Sequence, residues 1–218
     1  MPSTDVTKTI FLIGGGFSTG EHLDLDQRLL ELTGKARPKI CFIPTASGDA
    51  DIYIERFYIA FKQLECEPTH LSLFAYDGRD LDEFLSTQDA VYVGGGNTAN
   101  LLSVWRRHGL DTALTKAYKR GLVLAGISAG SCCWFDECLT DSFGPFAPLN
   151  DGLGLLSGSF CPHYNTEEGR PEKFAGAIQR GDLRPGVALD DGAGAIYLNG
   201  ELSEVIKSAP GASLHPVS

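Results

Sequence analysis

The chain has 218 residues, 43% of them hydrophobic and 21% charged, and its formal net charge is −10 at pH 7. This composition is typical of a globular protein with a full apolar core, and the length predicts one domain over residues 1–218. The acidic balance, without a basic patch, excludes nucleic acid and anionic membranes as expected partners, because both attract basic surfaces.

The compartment is indicated by what the sequence lacks. No apolar run approaches the roughly 20 residues that cross a bilayer, and residues 1–5 lack the charged and apolar regions of a signal peptide. The six cysteines include no C-x-x-C pair and have no zinc-ligand spacing. We therefore expect a cytoplasmic protein with buried thiols and with neither a metal nor an organic cofactor; Cys133 and Cys161 are weak candidates for a nucleophile.

Nearly continuous apolar runs alternate with stretches of helical spacing through much of the chain. Strands that are apolar on both faces and are connected by helices predict a mostly parallel sheet with helices on both sides. Shorter strands follow, and Asn199-Gly200 between two of them indicates a β-hairpin. The predicted strands are residues 9–16, 38–45, 71–74, 89–93 and 122–125, with shorter strands within 153–160 and 187–204; the predicted helices are residues 24–32, 51–64, 98–110 and 111–119 and a segment after Ser128.

The most informative segment is residues 122–131, in which an apolar run leads into the sequence G-I-S-A-G. A strand that ends in a tight turn and enters a helix lifts a serine off the backbone and directs nearby N–H groups toward it. Ser128 is therefore the candidate nucleophile of a serine hydrolase. The alternative is an ordinary close-packed strand–helix turn, which also requires small residues.

Two glycine-rich turns, residues 14–16 and 94–96, follow predicted strands. The first does not fit the dinucleotide-binding pattern, because the third glycine, Gly20, comes one residue late. The second turn would face the candidate nucleophile if the two strands are neighbours, because ligands bind at the carboxyl ends of strands in open α/β sheets. The N–H groups of Gly95 and Ala129 could then form an oxyanion hole, with plain close packing as the alternative.

The candidate general base is His163, which follows a strand-like run and is preceded by Pro162. A fixed backbone at this point would provide the rigid placement that a general base requires. The other four histidines are assigned to a helix start (His22), a strand start (His70), a helix end (His108) and a frayed tail (His215).

The acid that orients the imidazole has several candidates. Asp190 and Asp191 end a predicted strand, where one side chain of the adjacent pair should face the crevice that contains Ser128. We prefer Asp191, with Asp190 as the fallback. Asp141 stays open, although it lies close to Ser128 along the chain.

Three motifs together resemble the peptidase E (aspartyl dipeptidase) family, whose relatives include cyanophycinase. They are G-I-S-A-G at residues 126–130, G-G-G-N-T at residues 94–98 and P-H-Y-N at residues 162–165. The resemblance covers most of the chain. It implies a three-layer α/β/α sandwich that is flavodoxin-like, similar to the class I glutamine amidotransferase domain, and a serine peptidase that needs no cofactor.

The resemblance also implies the roles of individual residues. Ser128 would be the nucleophile and His163 the base, while Gly95 and Ala129 would supply the oxyanion donors. Asp191 stands where the family's acid is expected, but it is an aspartate where glutamate is typical.

The substrate that the resemblance implies is a dipeptide with an N-terminal aspartate. An acidic side chain requires a cation, and an arginine can bind a carboxylate through two hydrogen bonds. Arg170, in the loop after His163, is the candidate, unless it is an ordinary solvent-facing helix start; Asn97 is the second candidate substrate-binding residue. The alternatives are an acyl hydrolase or amidase of other specificity and a catalytically degenerate binding protein, and either a monomer or a homodimer is expected.

Overall fold

A computed structural model describes residues 6–218; the prediction about a signal peptide concerns residues 1–5 and lies outside them. In chain order, the elements are β1 (Thr9–Ile13), α1 (Asp24–Leu32), β2 (Lys39–Ile43), α2 (Asp51–Phe61), β3 (Glu67–His70), α3 (Leu81–Ser86), β4 (Ala90–Val93), α4 (Thr98–His108), α5 (Leu110–Lys119), β5 (Val123–Ile127), α6 (Ala129–Cys132), β6 (Phe135–Thr140), β7 (Ala147–Leu149), β8 (Leu156–Cys161), α7 (Arg170–Gln179), β9 (Gly186–Leu189), β10 (Ala193–Leu198), β11 (Glu201–Lys207) and β12 (Leu214–Val217).

The main sheet has the strand order β11-β10-β1-β5-β4-β2-β3. The five strands from β1 to β3 in this order are parallel, whereas β10 pairs antiparallel with β1 and β11 pairs antiparallel with β10. Strands β4 and β5 are direct neighbours, so the turns that follow them lie at the same edge of the sheet.

Helices cover both faces of the main sheet. Apolar residues of α1 and α2, such as Leu29 and Phe57, pack with Phe11 on one face. On the other face, a larger cluster contains residues of α3, α4 and α5, such as Trp105, together with Phe160 of a second sheet. The predicted three-layer α/β/α sandwich with a mostly parallel sheet is confirmed.

The second sheet has the order β12-β9-β8-β6-β7, in which β6, β8 and β9 are parallel. Helix α7 packs on it through a small cluster that includes Phe174 and Cys161. Strand β8 delivers the chain to His163, and β9 delivers it to Asp190 and Asp191.

The third strand lies earlier in the chain than predicted. It covers Glu67–His70, whereas residues 71–74 leave the sheet. Instead of pairing with a strand, the N–H groups of Leu73 and Phe74 donate to the carboxylate of Asp49, at 2.6 and 2.8 Å. The polar residues of β3 are tolerated because this strand forms the edge of the sheet.

The helix predicted after Ser128 has only four residues, and β6 begins soon after it. The carbonyl groups of Cys133 and Trp134 accept hydrogen bonds from the N–H groups of Leu153 and Leu155, so the chain enters the second sheet instead of continuing as a helix. The assignment of His215 to a frayed tail was also wrong, because this residue lies within β12.

None of the helices formed by residues 6–218 has the length and apolar character needed to cross a membrane.

Candidate active site

Ser128 occupies a strained turn between β5 and α6. Its backbone angles φ and ψ are 54° and −117°, in a region that residues other than glycine rarely adopt. The glycines on either side are sterically required: a Cβ at Gly126 would lie 2.0 Å from the carbonyl oxygen of Gly130, and one at Gly130 would lie 2.2 Å from that of Val93. The strand and the short helix are therefore packed backbone to backbone around a half-buried serine.

The turn that contains Asp191 lies beside the end of β1, the strand next to β5. Ile13 pairs with Ile127, so Gly14 is the neighbour of Ser128. Gly14 accepts a hydrogen bond from the N–H of Gly192, at 2.5 Å, and donates one to the carbonyl of Ala193, at 2.8 Å. Asp191 therefore lies at the carboxyl ends of β1 and β5, on the same side of the main sheet as Ser128.

Asp191 holds the ring of His163. The Nδ1 of His163 is 2.7 Å from Oδ1 of Asp191, and the hydroxyl of Thr166 donates to Oδ2 at 2.6 Å. Asn165 fixes the backbone of Asp191 by accepting from its N–H, at 2.8 Å, and donating to its carbonyl, at 3.2 Å. Burial by itself raises the pKa of Asp191. The hydrogen bond and charge of His163, the hydrogen bond from Thr166 and the charge of Arg170 outweigh burial, so the pKa of Asp191 lies below its ordinary value.

The neighbouring candidates for the acid have other surroundings. Asp190 accepts hydrogen bonds from the N–H of Ser213, at 3.0 Å, and pairs with His215 Nε2, at 2.7 Å, so it fastens β12. Asp141 lies exposed in the loop after β6. Of the three aspartates, Asp191 is the one in contact with His163.

Within residues 6–218, the structure shows no hydrogen bond between Ser128 and His163. Catalytic hydrogen bonds are often long or poorly aligned in a protein without substrate and become shorter when substrate binds.

The oxyanion donors expected from the sequence differ in availability. The N–H of Ala129 is the first of α6, a position without an acceptor inside the helix. A Cβ at Gly95 would lie 3.3 Å from Cβ of Ser128, so the two turns face each other. The N–H of Gly95, however, already donates to the hydroxyl of Tyr53, at 3.1 Å. Of the N–H groups in this turn, that of Gly96 has no acceptor among the described residues.

Asn97, a candidate for substrate binding, uses both ends of its side-chain amide within the protein. Its Oδ1 accepts from the N–H of Asn100, at 2.8 Å, and caps the N-terminus of α4. Its Nδ2 donates to the carbonyl of Ser142, at 2.9 Å. Asn97 therefore connects the second glycine turn to the loop after β6.

Arg170 is not the solvent-facing helix residue considered as an alternative, because its side chain is only 3% exposed. Its Nε donates to Glu167, at 2.6 Å, and its guanidinium lies over the ring of Phe146, with 4.7 Å to the centroid. One of its terminal nitrogens, Nη1, is buried without a hydrogen-bond partner among the described residues. Substrate binding by Arg170 would therefore require the side chain to exchange its present contacts.

Two residues of the site were not identified from the sequence. Thr166 lies three positions after His163, and a hydroxyl near a candidate base could have been noticed in this loop. The role of Tyr53 could not be predicted from the sequence, because the residue resembles any other aromatic residue of an amphipathic helix.

The six cysteines all lie among the described residues, and all of them are buried. Burial raises the pKa of Cys161 to about 12 and raises that of Cys133 as well. These two alternatives for the nucleophile therefore lack the thiolate character that cysteine catalysis requires.

Comparisons with known proteins show the family to which the chain belongs. The peptidase family S51 pattern matches residues 10–206, so the chain belongs to this family and is a peptidase. The chain is 49% identical over 205 residues (94% of this chain, 89% of the relative) to the uncharacterized peptidase YgaJ of Bacillus subtilis (strain 168). It is 32% identical over 181 residues (78% of this chain, 72% of the relative) to Peptidase E of Streptomyces coelicolor.

Similarity of fold is seen in a solved structure. The crystal structure of a peptidase from an acI-B1 Actinobacterium superposes with a TM-score of 0.71 at 15% identity, over 98% of this chain and 96% of that chain. The resemblance to the peptidase E family is confirmed by these comparisons, and the fold expected from it is confirmed as well.

Proposed function

We propose that the protein is a serine peptidase that hydrolyses short peptides, first of all dipeptides with an N-terminal aspartate, through Ser128, His163 and Asp191. The main support is the 2.7 Å hydrogen bond between His163 Nδ1 and Asp191, on a turn packed against Gly14 and hence beside Ser128. A hydrogen bond at Nδ1 leaves the lone pair of Nε2 to accept a proton.

In the proposed reaction, His163 takes the proton of the Ser128 hydroxyl while the oxygen attacks the scissile carbonyl. The negative oxygen of the tetrahedral intermediate is stabilised by the N–H of Ala129 and by the turn formed by Gly95 and Gly96. His163 then gives its proton to the departing amine, which leaves an ester on Ser128. Water, activated by the same imidazole, hydrolyses this ester and releases the acid product.

Arg170 is the proposed determinant of specificity for an acidic residue. In support, a buried guanidinium with one unpartnered Nη1 has unused hydrogen-bonding capacity. Its pairing with Glu167, at 2.6 Å, supports the second candidate, a peptidase of other specificity, because an arginine that is already neutralised attracts an acidic side chain less strongly.

A hydrolysis screen with Asp-X, isoAsp-X and neutral dipeptides tests the proposal. The variant Ser128→Ala is expected to lose hydrolysis of every peptide that the wild type cleaves and to lose labelling by a fluorophosphonate. Ser103→Ala is the matched control, because this hydroxyl lies on α4 and donates to the carbonyl of Ala99 within its own helix. Full turnover by Ser128→Ala would disprove the mechanism.

The specificity is tested separately with Arg170→Met. We expect the KM for Asp-X dipeptides to rise relative to neutral dipeptides. If wild type and variant discriminate equally between acidic and neutral substrates, Arg170 is not the determinant of specificity. If the wild type itself does not prefer Asp-X dipeptides, the N-terminal aspartate specificity is wrong, although the serine mechanism would stand.

A further inference from the structure

Tyr53 contacts the second glycine turn from the side of helix α2. Its hydroxyl accepts the hydrogen bond from the N–H of Gly95, at 3.1 Å, and lies 2.5 Å from the hydroxyl of Ser18. Since the phenol accepts from a backbone amide, its own proton is free to go to Ser18. The three groups form a chain from the glycine turn after β4 to the glycine turn after β1.

The ring of Tyr53 is held in place by aromatic neighbours. Its centroid lies 5.0 Å from that of Phe42, edge to face, and 5.6 Å from that of Phe17. A Cβ at Gly94 would lie 2.8 Å from Cε1 of Tyr53, so this ring also lies directly against the turn. Burial raises the pKa of Tyr53 above 10.0, which keeps the hydroxyl neutral and able to donate and accept at once.

Two other N–H groups of this turn are bound to backbone carbonyls. Gly94 donates to Ile43, at 3.1 Å, and Asn97 donates to Ala46, at 2.8 Å. Tyr53 is thus the side chain that completes the anchoring of the turn, and Gly96 is left with a free N–H within the described part of the chain.

We propose that Tyr53 is a positioning residue of the hydrolytic reaction, which holds the Gly95–Gly96 turn in the conformation that stabilises the oxyanion, with Ser18 as its hydrogen-bond partner. This inference rests on the proposed function, since it concerns hydrolysis by Ser128. Tyr53 acts through the backbone of the turn and does not itself contact substrate.

The test compares Tyr53→Phe with Tyr58→Phe. Both tyrosines lie on α2, but the hydroxyl of Tyr58 bonds to Nδ1 of His70, at 2.8 Å, away from the turn. The readouts are the second-order rate constant of fluorophosphonate labelling and, with a cleaved dipeptide, kcat and KM, each normalised to titrated active sites. Labelling forms a negative oxygen on phosphorus and therefore depends on the oxyanion turn without requiring a known peptide.

We expect Tyr53→Phe to slow labelling and kcat by about 10-fold with KM nearly unchanged, a smaller effect than the loss of about 10²–10³-fold when an oxyanion donor itself is removed. Tyr58→Phe should react at the wild-type rate. Ser18→Ala should slow both reactions on the order of 3-fold, as the loss of one neutral hydrogen bond implies. Ser18→Ala keeps the inference testable if Tyr53→Phe does not fold.

The outcomes separate the two proposals. If the wild type is not labelled at Ser128, the proposed function fails. If the wild type is labelled and Tyr53→Phe reacts as fast as the wild type or faster, only the role of Tyr53 is overturned. A lower melting temperature with an unchanged rate per active site would likewise assign Tyr53 to packing alone.

Discussion

At the scale of the residue, the site depends on how the Asp191 carboxylate is surrounded. One carboxylate oxygen accepts a hydrogen bond from His163 and the other accepts one from Thr166. The side chain of Asn165 bonds to both the backbone N–H and the backbone carbonyl of Asp191. The hydrogen bonds from His163 and Thr166 favour the ionised carboxylate, and the pKa of Asp191 is held below its ordinary value. In the proposed mechanism, this carboxylate stabilises the positive charge that His163 acquires when Ser128 attacks.

Replacing Asp191 with asparagine tests this arrangement. The amide can donate to the imidazole and so favours the tautomer that has no lone pair on Nε2 for the serine proton. We expect kcat to fall by about 10³–10⁴-fold, as when the acid of a Ser-His-Asp triad becomes an amide. The measurement is the steady-state rate of dipeptide hydrolysis, supported by circular dichroism to establish folding.

Glu168→Gln is the control for Asp191→Asn. Glu168 is an exposed carboxylate in the loop that follows His163, and its replacement should leave kcat unchanged. A residual activity of Asp191→Asn within 10-fold of the control, a margin of about 1.4 kcal/mol, would exclude Asp191 as the orienting acid.

At the scale of the element, the site is built where strands end. Strands β1, β4 and β5 are neighbours, and the turns after them are packed so closely that several positions admit no side chain. A Cβ at Gly96 would lie 2.2 Å from the carbonyl oxygen of Ala46, and φ at this residue is 138°. The turn is thus specified by steric exclusion as well as by hydrogen bonds.

Gly96→Ala should therefore damage both stability and activity. Relief of the contact requires the turn to move, and we expect a loss of about 2–4 kcal/mol in the free energy of unfolding, together with a lower kcat. Gly34→Ala is the control, because Gly34 also has a positive φ, 67°, but has open space around it, so the cost should be about 1 kcal/mol. Urea unfolding of both variants measures the difference, and equal losses would contradict the steric account.

Elements with a strong local pattern were the ones that the sequence predicted well. Strands β1, β2, β4 and β5 are apolar on both faces, which follows from their central position in the sheet. Strand β6 was missed because Asp136 and Glu137 interrupt its apolar pattern, and these carboxylates are paired with Arg184 from a distant segment.

The same reasoning applies to the candidate site. Ser128, His163 and Asp191 stand in local motifs at strand ends, so they could be selected from the sequence alone. The burial of Arg170 beneath Phe146 and the attachment of Asn97 to Ser142 depend on loops far apart in the chain. No local pattern reports such contacts.

At the scale of the whole molecule, the site lies where the two sheets meet. Ser128 follows a strand of the main sheet, His163 follows a strand of the second sheet, and Asp191 lies in the connection from β9 of the second sheet to β10 of the main sheet. A single apolar cluster contains residues of both sheets, including Leu124 and Phe160. The relative position of the three residues is therefore set by the core of the molecule.

The stability of the whole fold should depend on the protonation of Asp26. This residue on α1 is 1% exposed, and burial raises its pKa to about 7, with the Phe17 N–H hydrogen bond opposing and the charge of Asp24 adding to the shift. Between about pH 4 and 7, the folded protein retains a proton that the unfolded chain releases, so the free energy of unfolding should fall as pH rises through this range and should not fall further above it. The loss is on the order of 4 kcal/mol, since one pKa unit corresponds to about 1.36 kcal/mol.

Urea unfolding at pH 4.5 and at pH 7.5 measures this effect. Asp26→Asn should reduce the difference between the two pH values, because the amide does not titrate, while Asp51→Asn, an exposed position at the start of α2, should leave the difference as in the wild type. The assignment is wrong if the wild type and Asp26→Asn depend equally on pH.

The connection from β9 to β10 has a kinetic consequence. Asp190 bonds to His215 of strand β12, and its immediate neighbour Asp191 bonds to the His163 imidazole. One short stretch of backbone between the two sheets therefore makes both contacts. During refolding, each sheet can gain regular structure before this stretch is anchored, but the nucleophile and its base have no fixed separation until it is. We therefore expect peptidase activity to return late in refolding, after both sheets have gained regular structure.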